Sequence, residues 1–404
     1  MIPRFKPELG WKEFSALFRF RKDMVRKFED AFAIAFNARK AVAFPYGRSA
    51  QWAFFKALCI ENAEVIMPAY TCSVVAHAVT LSGNVPHFID ISLDDYNMNL
   101  DAIFEAINVN TRAIIVTHTF GYPENIDKIN AIVHEAEEKF GNKIWIMQDC
   151  CHAFGAEWEG KPVSTAGDVA VYAFNISKLM TSIFGGMLTF QDEKLAEKVR
   201  AWRDTNYKRA SFFKGLKRRF YLLAVYIAFN EKVYGITWWL QEKTGLLNKL
   251  TKSYHLDEKI HFPPDYRDHM LDIEAEVGLI QLEKYPTMIE NRRKNALWYH
   301  NNLEKKEGWV YPPLIDGATY SHYVIRVPDR DKVVLEMAKH GIHVGTLIQY
   351  SIPAMESYNH LKTNAPVSLE CSKSMINLPL TIDHKKIDKF LSGINLKASN
   401  NLTQ

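Results

Sequence analysis

Asp149 and Lys178 are the residues whose types and surroundings most invite chemistry in this 404-residue chain. Asp149 follows the apolar run Ile144-Trp145-Ile146-Met147-Gln148, which reads as a buried strand, so its carboxylate emerges at the strand's carboxyl end. Lys178 follows the next apolar run, Val169–Ala173, by way of Phe174-Asn175-Ile176-Ser177, and Gly185-Gly186 comes shortly after. A carboxylate placed there is costly unless a cation meets it. An acid and a lysine delivered by neighbouring strand ends are also what pyridoxal phosphate chemistry requires. The amine forms an imine with the aldehyde and later carries a proton, while the carboxylate keeps the pyridine nitrogen protonated so that the ring takes up electrons. Taken alone, the pair reads more readily as a salt bridge or as two unrelated surface residues.

A second feature bears on the same chemistry. Pro45-Tyr46-Gly47-Arg48-Ser49-Ala50 follows a short apolar run and opens a helical pattern, so the amides of Arg48, Ser49 and Ala50 point at an anion that the helix dipole favours. On its own this stretch reads as an ordinary helix N-terminus. The five cysteines, Cys59, Cys72, Cys150, Cys151 and Cys371, are sparse, odd in number and without metal-ligand spacing. They fit a reducing cytoplasm and predict no metal site.

The elements that must position these residues follow from the hydrophobic pattern. Between about residues 30 and 200, short apolar runs alternate with charged amphipathic stretches, the signature of βα repeats and a mostly parallel sheet. Seven strands are predicted: Ala41–Phe44, Glu64–Met67, Val85–Ile89, Ala113–Thr117, Ile144–Gln148, Val169–Ala173 and Met187–Phe190. Helices are predicted over Ser49–Cys59, Cys72–Ser82, Asp127–Lys139 and Glu193–Arg203. The expected division is a large α/β domain over 1–203, a helical insertion over 204–264, and a connecting helix with a small C-terminal α+β domain over 265–404. The polar end, Lys397–Gln404, reads as frayed.

At 48% hydrophobic and 24% charged, the composition is that of a globular protein and excludes collagen-like or wholly disordered chains. Fifty Lys+Arg against 46 Asp+Glu leave a formal charge of +4, too little for a nucleic-acid binder. The N-terminus lacks the apolar stretch of a secretory signal, and no run of apolar residues is long enough to span a bilayer. The expected location is the cytoplasm, at most peripheral on the inner face of the membrane. That qualification comes from Lys208, Arg209, Lys214, Lys217, Arg218 and Arg219, which precede the apolar run Phe220–Phe229 and then Trp238-Trp239. The segment 208–240 suits an in-plane helix with Phe220, Leu222, Leu223 and Ile227 in the acyl boundary. A packed hairpin or a subunit contact is the competing reading.

Taken in order, the segments resemble the DegT-type nucleotide-sugar aminotransferases, members of the fold type I pyridoxal-phosphate enzymes. The resemblance rests on Gly47-Arg48-Ser49-Ala50, Pro68-Ala69-Tyr70-Thr71-Cys72, Thr117-His118-Thr119-Phe120-Gly121-Tyr122-Pro123, Gln148-Asp149-Cys150-Cys151-His152-Ala153-Phe154-Gly155, Ser177-Lys178 and Gly185-Gly186. It continues through Gln281-Leu282-Glu283, Asn291-Arg292-Arg293-Lys294-Asn295-Ala296, Gly341-Ile342 and Asn377-Leu378-Pro379-Leu380. It implies that Lys178 holds the Schiff base and Asp149 pairs with the pyridinium nitrogen. It also implies that His152 lies near the ring hydroxyl, and that the turn at Gly47 with the amides of Arg48 and Ser49 binds the phosphate. His118 is a candidate at one remove from the cofactor.

Three departures from the family pattern matter. Ala173 stands where a phosphate-binding Ser is common, so that hydroxyl is lost or replaced, with Ser177 the candidate. Cys72 replaces an aromatic that commonly stacks on the cofactor. The usual Asn-Tyr-Arg-Met stretch, whose Asn reaches the neighbouring subunit's phosphate, becomes Asp265-Tyr266-Arg267-Asp268-His269-Met270, leaving Arg267 to bind the anion. The implied activity is transfer of an amino group from glutamate or another amino acid to a nucleotide-linked keto-deoxy sugar by a homodimer with shared active sites. Amination of a lipid-linked or carrier-bound carbonyl, and a non-catalytic regulator of the same fold, are the alternatives.

Overall fold

A computed structural model describes residues 1–230, 232–244 and 259–381, with the backbone alone described over 241–244. The expectations for the end of the helical insertion at 245–258 and for the tail at 397–404 lie outside the described residues. Seven strands build the main sheet: β1 Lys40–Phe44, β2 Glu64–Pro68, β3 Val85–Ile89, β4 Thr111–Thr117, β5 Trp145–Asp149, β6 Val169–Ala173 and β7 Gly186–Phe190. Their order is β1-β7-β6-β5-β4-β2-β3. Only β7 runs antiparallel to its neighbours, β1 and β6. The sheet is therefore mostly parallel, with the carboxyl ends of six strands on one edge.

Alternation along each strand explains how both faces are covered. Val42, Phe44, Val65, Met67, Ile115, Met147 and Val171 point to one core, shared with the helices α3 Gly47–Ala57, α4 Ser73–Leu81 and α7 Glu193–Asn206. Ala41, Ala43, Ala170, Tyr172 and Met187 point the other way, against α2 Met24–Ala35 and α10 Asp272–Asn302. On that same side Ile66, Ile114, Val116 and Ile146 meet α5 Leu100–Ala106 and α6 Ile126–Phe140. Burial on both faces is why these strands read as unbroken apolar runs.

A second, two-stranded sheet pairs β8 Tyr323–Arg326 with β9 Met375–Leu378. It is flanked by α11 Arg330–Lys339 and α12 Pro366–Ser374. Its core includes Tyr70, Phe120 and Tyr122 from the turns at the edge of the large sheet. The β8 side thus docks on the loops that end β2 and β4.

The basic-then-apolar segment forms two helices, α8 Phe212–Ala228 and α9 Tyr234–Thr244, in addition to the short N-terminal α1 Trp11–Ala16. Ser211 caps α8 by accepting from the Lys214 amide. One face of α8 turns inward, with Leu222 fully buried among Ala16, Leu17, Ile273 and Val277, and Leu223 packed on the same cluster. Leu222 therefore does not face a lipid boundary, and three of the six cations are structural. Arg218 is buried and donates to Glu274, Asp265 and the Tyr46 hydroxyl. Lys214 pairs with Asp265 and Asp268. Arg219 donates to the carbonyls of Ala16, Leu17 and Arg19. Phe213, Phe220 and Ile227 remain outward, 59–78% exposed. Among the described residues no helix is long and apolar enough to cross a membrane.

Candidate active site

The carboxyl edge of the sheet opens into a cleft lined by residues of β4, β5, β6 and the start of α3. Asp149 is the last residue of β5, level with Thr117 on β4 and Val171 on β6. It is 4% exposed, and its Oδ1 accepts from the Cys151 amide at 3.0 Å. Lys178 stands in the loop after β6, where its amide donates to the Asn175 carbonyl at 3.0 Å. Both side chains line the cleft, so the two strand ends deliver the acid and the amine to one space. That carboxylate and burial together push the neighbouring Cys151 thiol well up, burial being the larger cause.

The N-terminus of α3 closes another wall. Tyr46 is extended at the N-cap, and the first intrahelical bond is Ala50 N to Tyr46 O at 3.0 Å. The amides of Gly47, Arg48 and Ser49 therefore have no partner within the helix. Among the described residues the buried Ser49 hydroxyl has no hydrogen-bond partner, and neither does Thr117 Oγ1 on the cleft wall. Gly47 is required by closeness: a Cβ there would lie 2.8 Å from Ala173 Cβ, so the helix end presses directly on β6. The result is an anion seat at a helix terminus, across a cleft that also holds a carboxylate and an amine.

His152 and Cys72 also line the cleft. Cys72 is the N-cap residue of α4, and the following amide, of Ser73, donates to the Tyr350 hydroxyl at 2.9 Å. Burial, then the positive charge of Lys178, lowers the proton affinity of His152 well below that of an ordinary histidine, so the ring is neutral. Its ring is nearly parallel to that of Phe120, with centroids 6.4 Å apart, and lies 5.4 Å from that of His322. His322 arrives because residues 319–321 dock on the Phe120-Gly121 turn. Thr319 N donates to Gly121 O, Ser321 N donates to Phe120 O, and Thr319 Oγ1 donates to His152 O. Gly121 has φ +89°, and a Cβ there would come within 2.5 Å of Thr319 Oγ1.

Of the expected site residues, Gly47, Arg48, Cys72, Asp149, His152 and Lys178 share the cleft wall. Ser49 sits directly behind, in the first turn of α3. Ser177 and Arg267 are not brought to it: Ser177 is exposed, with its hydroxyl donating to Asn175 Oδ1, and Arg267 is exposed with its guanidinium over the Tyr266 ring. His118 is fully buried between Gln148 Oε1 and the Glu124 amide, away from the cleft, and burial lowers its pKa to about 4. Sequence reasoning missed Tyr46, Gln51, Thr71, Thr117 and Asn175 on the wall. Thr117 carried a signal, since it ends the strand next to the one that ends in Asp149. His322 carried none, because nothing local relates it to residues 118–152.

The arrangement fits pyridoxal 5′-phosphate. Lys178 would meet the aldehyde, Asp149 the ring nitrogen, and the α3 terminus with the unpartnered Ser49 hydroxyl the phosphate. Comparison with known proteins points to the same cofactor. The model of the DegT/DnrJ/EryC1/StrS aminotransferase family matches residues 16–389. A GDP-perosamine synthase of Escherichia coli is 27% identical over 311 residues, 75% of this chain and 71% of that protein. A dTDP-4-dehydro-2,3,6-trideoxy-D-glucose 4-aminotransferase of Saccharopolyspora spinosa is 26% identical over 358 residues, 85% of this chain and 83% of that one. The crystal structure of the sugar aminotransferase CalS13 from Micromonospora echinospora shares the fold with a TM-score of 0.77, at 21% identity and covering 98% and 99% of the two chains. The chain belongs to the DegT/DnrJ/EryC1/StrS aminotransferase family and is a pyridoxal-phosphate-dependent enzyme.

Proposed function

We propose that this enzyme moves an amino group from glutamate or another amino acid to the keto group of a nucleotide-linked keto-deoxy sugar, feeding a surface polysaccharide, a lipopolysaccharide or another glycoconjugate. The observation that carries the reading is the shared cleft of Asp149 and Lys178 opposite the α3 terminus. The relatives whose names specify GDP- and dTDP-linked sugars support the choice of acceptor. When bound, pyridoxal 5′-phosphate supplies an aldehyde that condenses with amines and a ring that takes up electrons as the adjacent C–H bond breaks. Lys178 Nζ would hold the cofactor through its aldehyde and, when free, would serve as the base that moves the donor's Cα proton. Asp149 would hold the proton on the ring nitrogen, and neutral His152 lines the same cleft without adding charge. Phe120 and His322 hold the His152 ring between them.

Mixing the enzyme with glutamate and a GDP- or dTDP-linked 4-keto-6-deoxy sugar tests the proposal. Mass spectrometry should find the amino sugar and 2-oxoglutarate in equal amounts. Loss of glutamate's amino group without any aminated nucleotide sugar would refute the acceptor.

The proposal includes a cytoplasmic homodimer with shared active sites, and the division at 203/204 and 264/265. In such a dimer Arg267, exposed and outside its own cleft, would be the residue that serves a partner's cleft. It also includes peripheral contact with an anionic membrane through 208–240. The outward Phe213, Phe220 and Ile227 recur every seven residues along α8, the exposed Trp11 and Phe18 meet that helix near its end through the Phe14–Tyr226 ring contact, and Lys208, Arg209 and Lys217 are exposed. Sedimentation equilibrium reads the dimer. Co-sedimentation with anionic vesicles reads the membrane contact, which Lys217→Glu with Phe220→Ser should abolish.

A further inference from the structure

Ala173, the last residue of β6, has no hydroxyl to give an anion, and Ser177 gives its own to Asn175 Oδ1. The α3 terminus offers amides, the buried Ser49 hydroxyl and about half a positive charge from the helix dipole. A phosphate monoester carries close to two negative charges at neutral pH. Among the described residues, the charged side chains on the cleft wall are those of Asp149, Lys178 and Arg48. Asp149 is matched by the protonated ring nitrogen and Lys178 is taken up by the aldehyde, so the positive charge that remains for the phosphate is Arg48. It is the second residue of α3, 8% exposed, with its guanidinium 5.8 Å from the centre of the Tyr46 ring. Its neighbours are fixed. Gly47 abuts Ala173, and Gln51, one turn on, lines the same wall and donates to Val75 O at 3.2 Å. The Tyr46 hydroxyl donates to Asp265 at 2.8 Å and accepts from Arg218.

We propose that the Arg48 guanidinium is the counter-charge of the cofactor phosphate, a cation from α3 standing in for the hydroxyl that residue 173 lacks. The inference rests on the pyridoxal-phosphate reading of the cleft and adds how this chain holds the phosphate. A hydroxyl gives one hydrogen bond and no charge. A guanidinium gives charge and a planar fork of donors that spans two phosphate oxygens. Held by charge, the cofactor should dissociate more readily as salt rises, and inorganic phosphate should compete for its seat. The cation also keeps the bound phosphate doubly ionised below about pH 6, where a free monoester takes up a proton. The alternatives are a guanidinium that serves the diphosphate of a nucleotide-linked acceptor, and one that only packs on Tyr46.

Titration of the apo-enzyme with pyridoxal 5′-phosphate, read by imine absorbance, decides between them, and thermal unfolding of the same apo-proteins reports packing separately. Arg48→Gln should raise the dissociation constant at least about tenfold, from loss of a charge-assisted hydrogen bond. Arg48→Lys should recover part of the loss, because it restores charge without the fork. Inorganic phosphate should raise the apparent constant of wild type and leave that of Arg48→Gln almost unchanged. In phosphorus NMR of the loaded enzymes, the wild-type phosphate signal should stay fixed between about pH 7 and 5 while that of Arg48→Gln titrates. Unchanged cofactor affinity in Arg48→Gln, or equal weakening in the Gln and Lys variants, overturns the proposal. Wild type indifferent to inorganic phosphate overturns it without any variant. A raised half-saturating concentration of nucleotide sugar at unchanged cofactor affinity would give the guanidinium to the acceptor's diphosphate instead. Wild-type enzyme that forms no imine at all would strike the cofactor reading itself, an outcome distinct from an imine whose affinity ignores Arg48.

Discussion

Gly47→Ala probes the link between packing and cofactor binding most closely. The new Cβ would stand 2.8 Å from Ala173 Cβ and 3.2 Å from Tyr172 O. Carbon atoms rest at about 3.5–4.0 Å, so the first turn of α3 must retreat from β6 by roughly 0.7 Å. Overpacking of this kind costs about 1–3 kcal/mol of stability. A retreat of that size lengthens amide-to-phosphate bonds of ~2.9 Å beyond useful range. Loss of one bond to a charged group, about 1.5–3 kcal/mol, raises the dissociation constant for pyridoxal 5′-phosphate roughly 10- to 150-fold. Titration of the apo-enzyme with the cofactor, followed by absorbance, reads this directly, and thermal unfolding of the apo-enzyme reads the packing cost separately. Ala173→Gly in the same chain removes the 2.8 Å contact and should restore much of both. If Gly47→Ala is destabilised yet binds the cofactor as tightly as wild type, the α3 terminus is not the phosphate seat.

Asp149→Asn should retain cofactor but lose at least about a hundredfold in transamination rate, since the ring nitrogen loses its buried counter-charge; a rate within a factor of a few of wild type would remove Asp149 from that role. Arg218→Met should destabilise the fold by about 3–5 kcal/mol, because it strands the fully buried Glu274. Burial already raises the Glu274 pKa, and without Arg218 it rises further, so the folded variant binds more protons than the unfolded chain and should regain stability as pH falls from 7 towards 5. A denaturant midpoint that is independent of pH over that range would contradict this. His118, at about 4 in the folded chain against 6.5 in the unfolded, binds fewer protons when folded. Its contribution is present above the unfolded value and is lost as pH falls through 6.5 towards 4, about 3 kcal/mol in all; His118→Gln should flatten that limb of the stability profile.

The large sheet was legible because parallel strands covered on both faces leave uninterrupted apolar runs. Val85–Ile89 and Val169–Ala173 have the same bounds in sequence and structure, four others differ by one or two residues at one end, and Trp145–Asp149 is shifted by one residue from the expected Ile144–Gln148. The reversed direction of β7 was not legible, since an apolar run has no polarity. Asp149, Lys178 and Gly47 could be placed because each lies where a strand hands over to a turn or helix, a local event. Residues brought from afar could not. His322 depends on the docking of residues 319–321 on Gly121. The cations of 208–219 read as a solvated band because their partners, Asp265, Asp268 and Glu274, lie some fifty residues further on. Charge pattern along a chain records sign and spacing, and not which side turns inward. Ser177 illustrates the same limit, as its hydroxyl is taken up by Asn175 two residues earlier.

Reduction of the loaded enzyme with borohydride, followed by proteolysis and mass spectrometry, tests the central claim most directly. The reduced cofactor should be found on the peptide that carries Lys178, attached at its Nζ, and Lys178→Ala should carry no label while keeping the fold. A label on any other lysine, or none on wild type saturated with pyridoxal 5′-phosphate, would contradict the account.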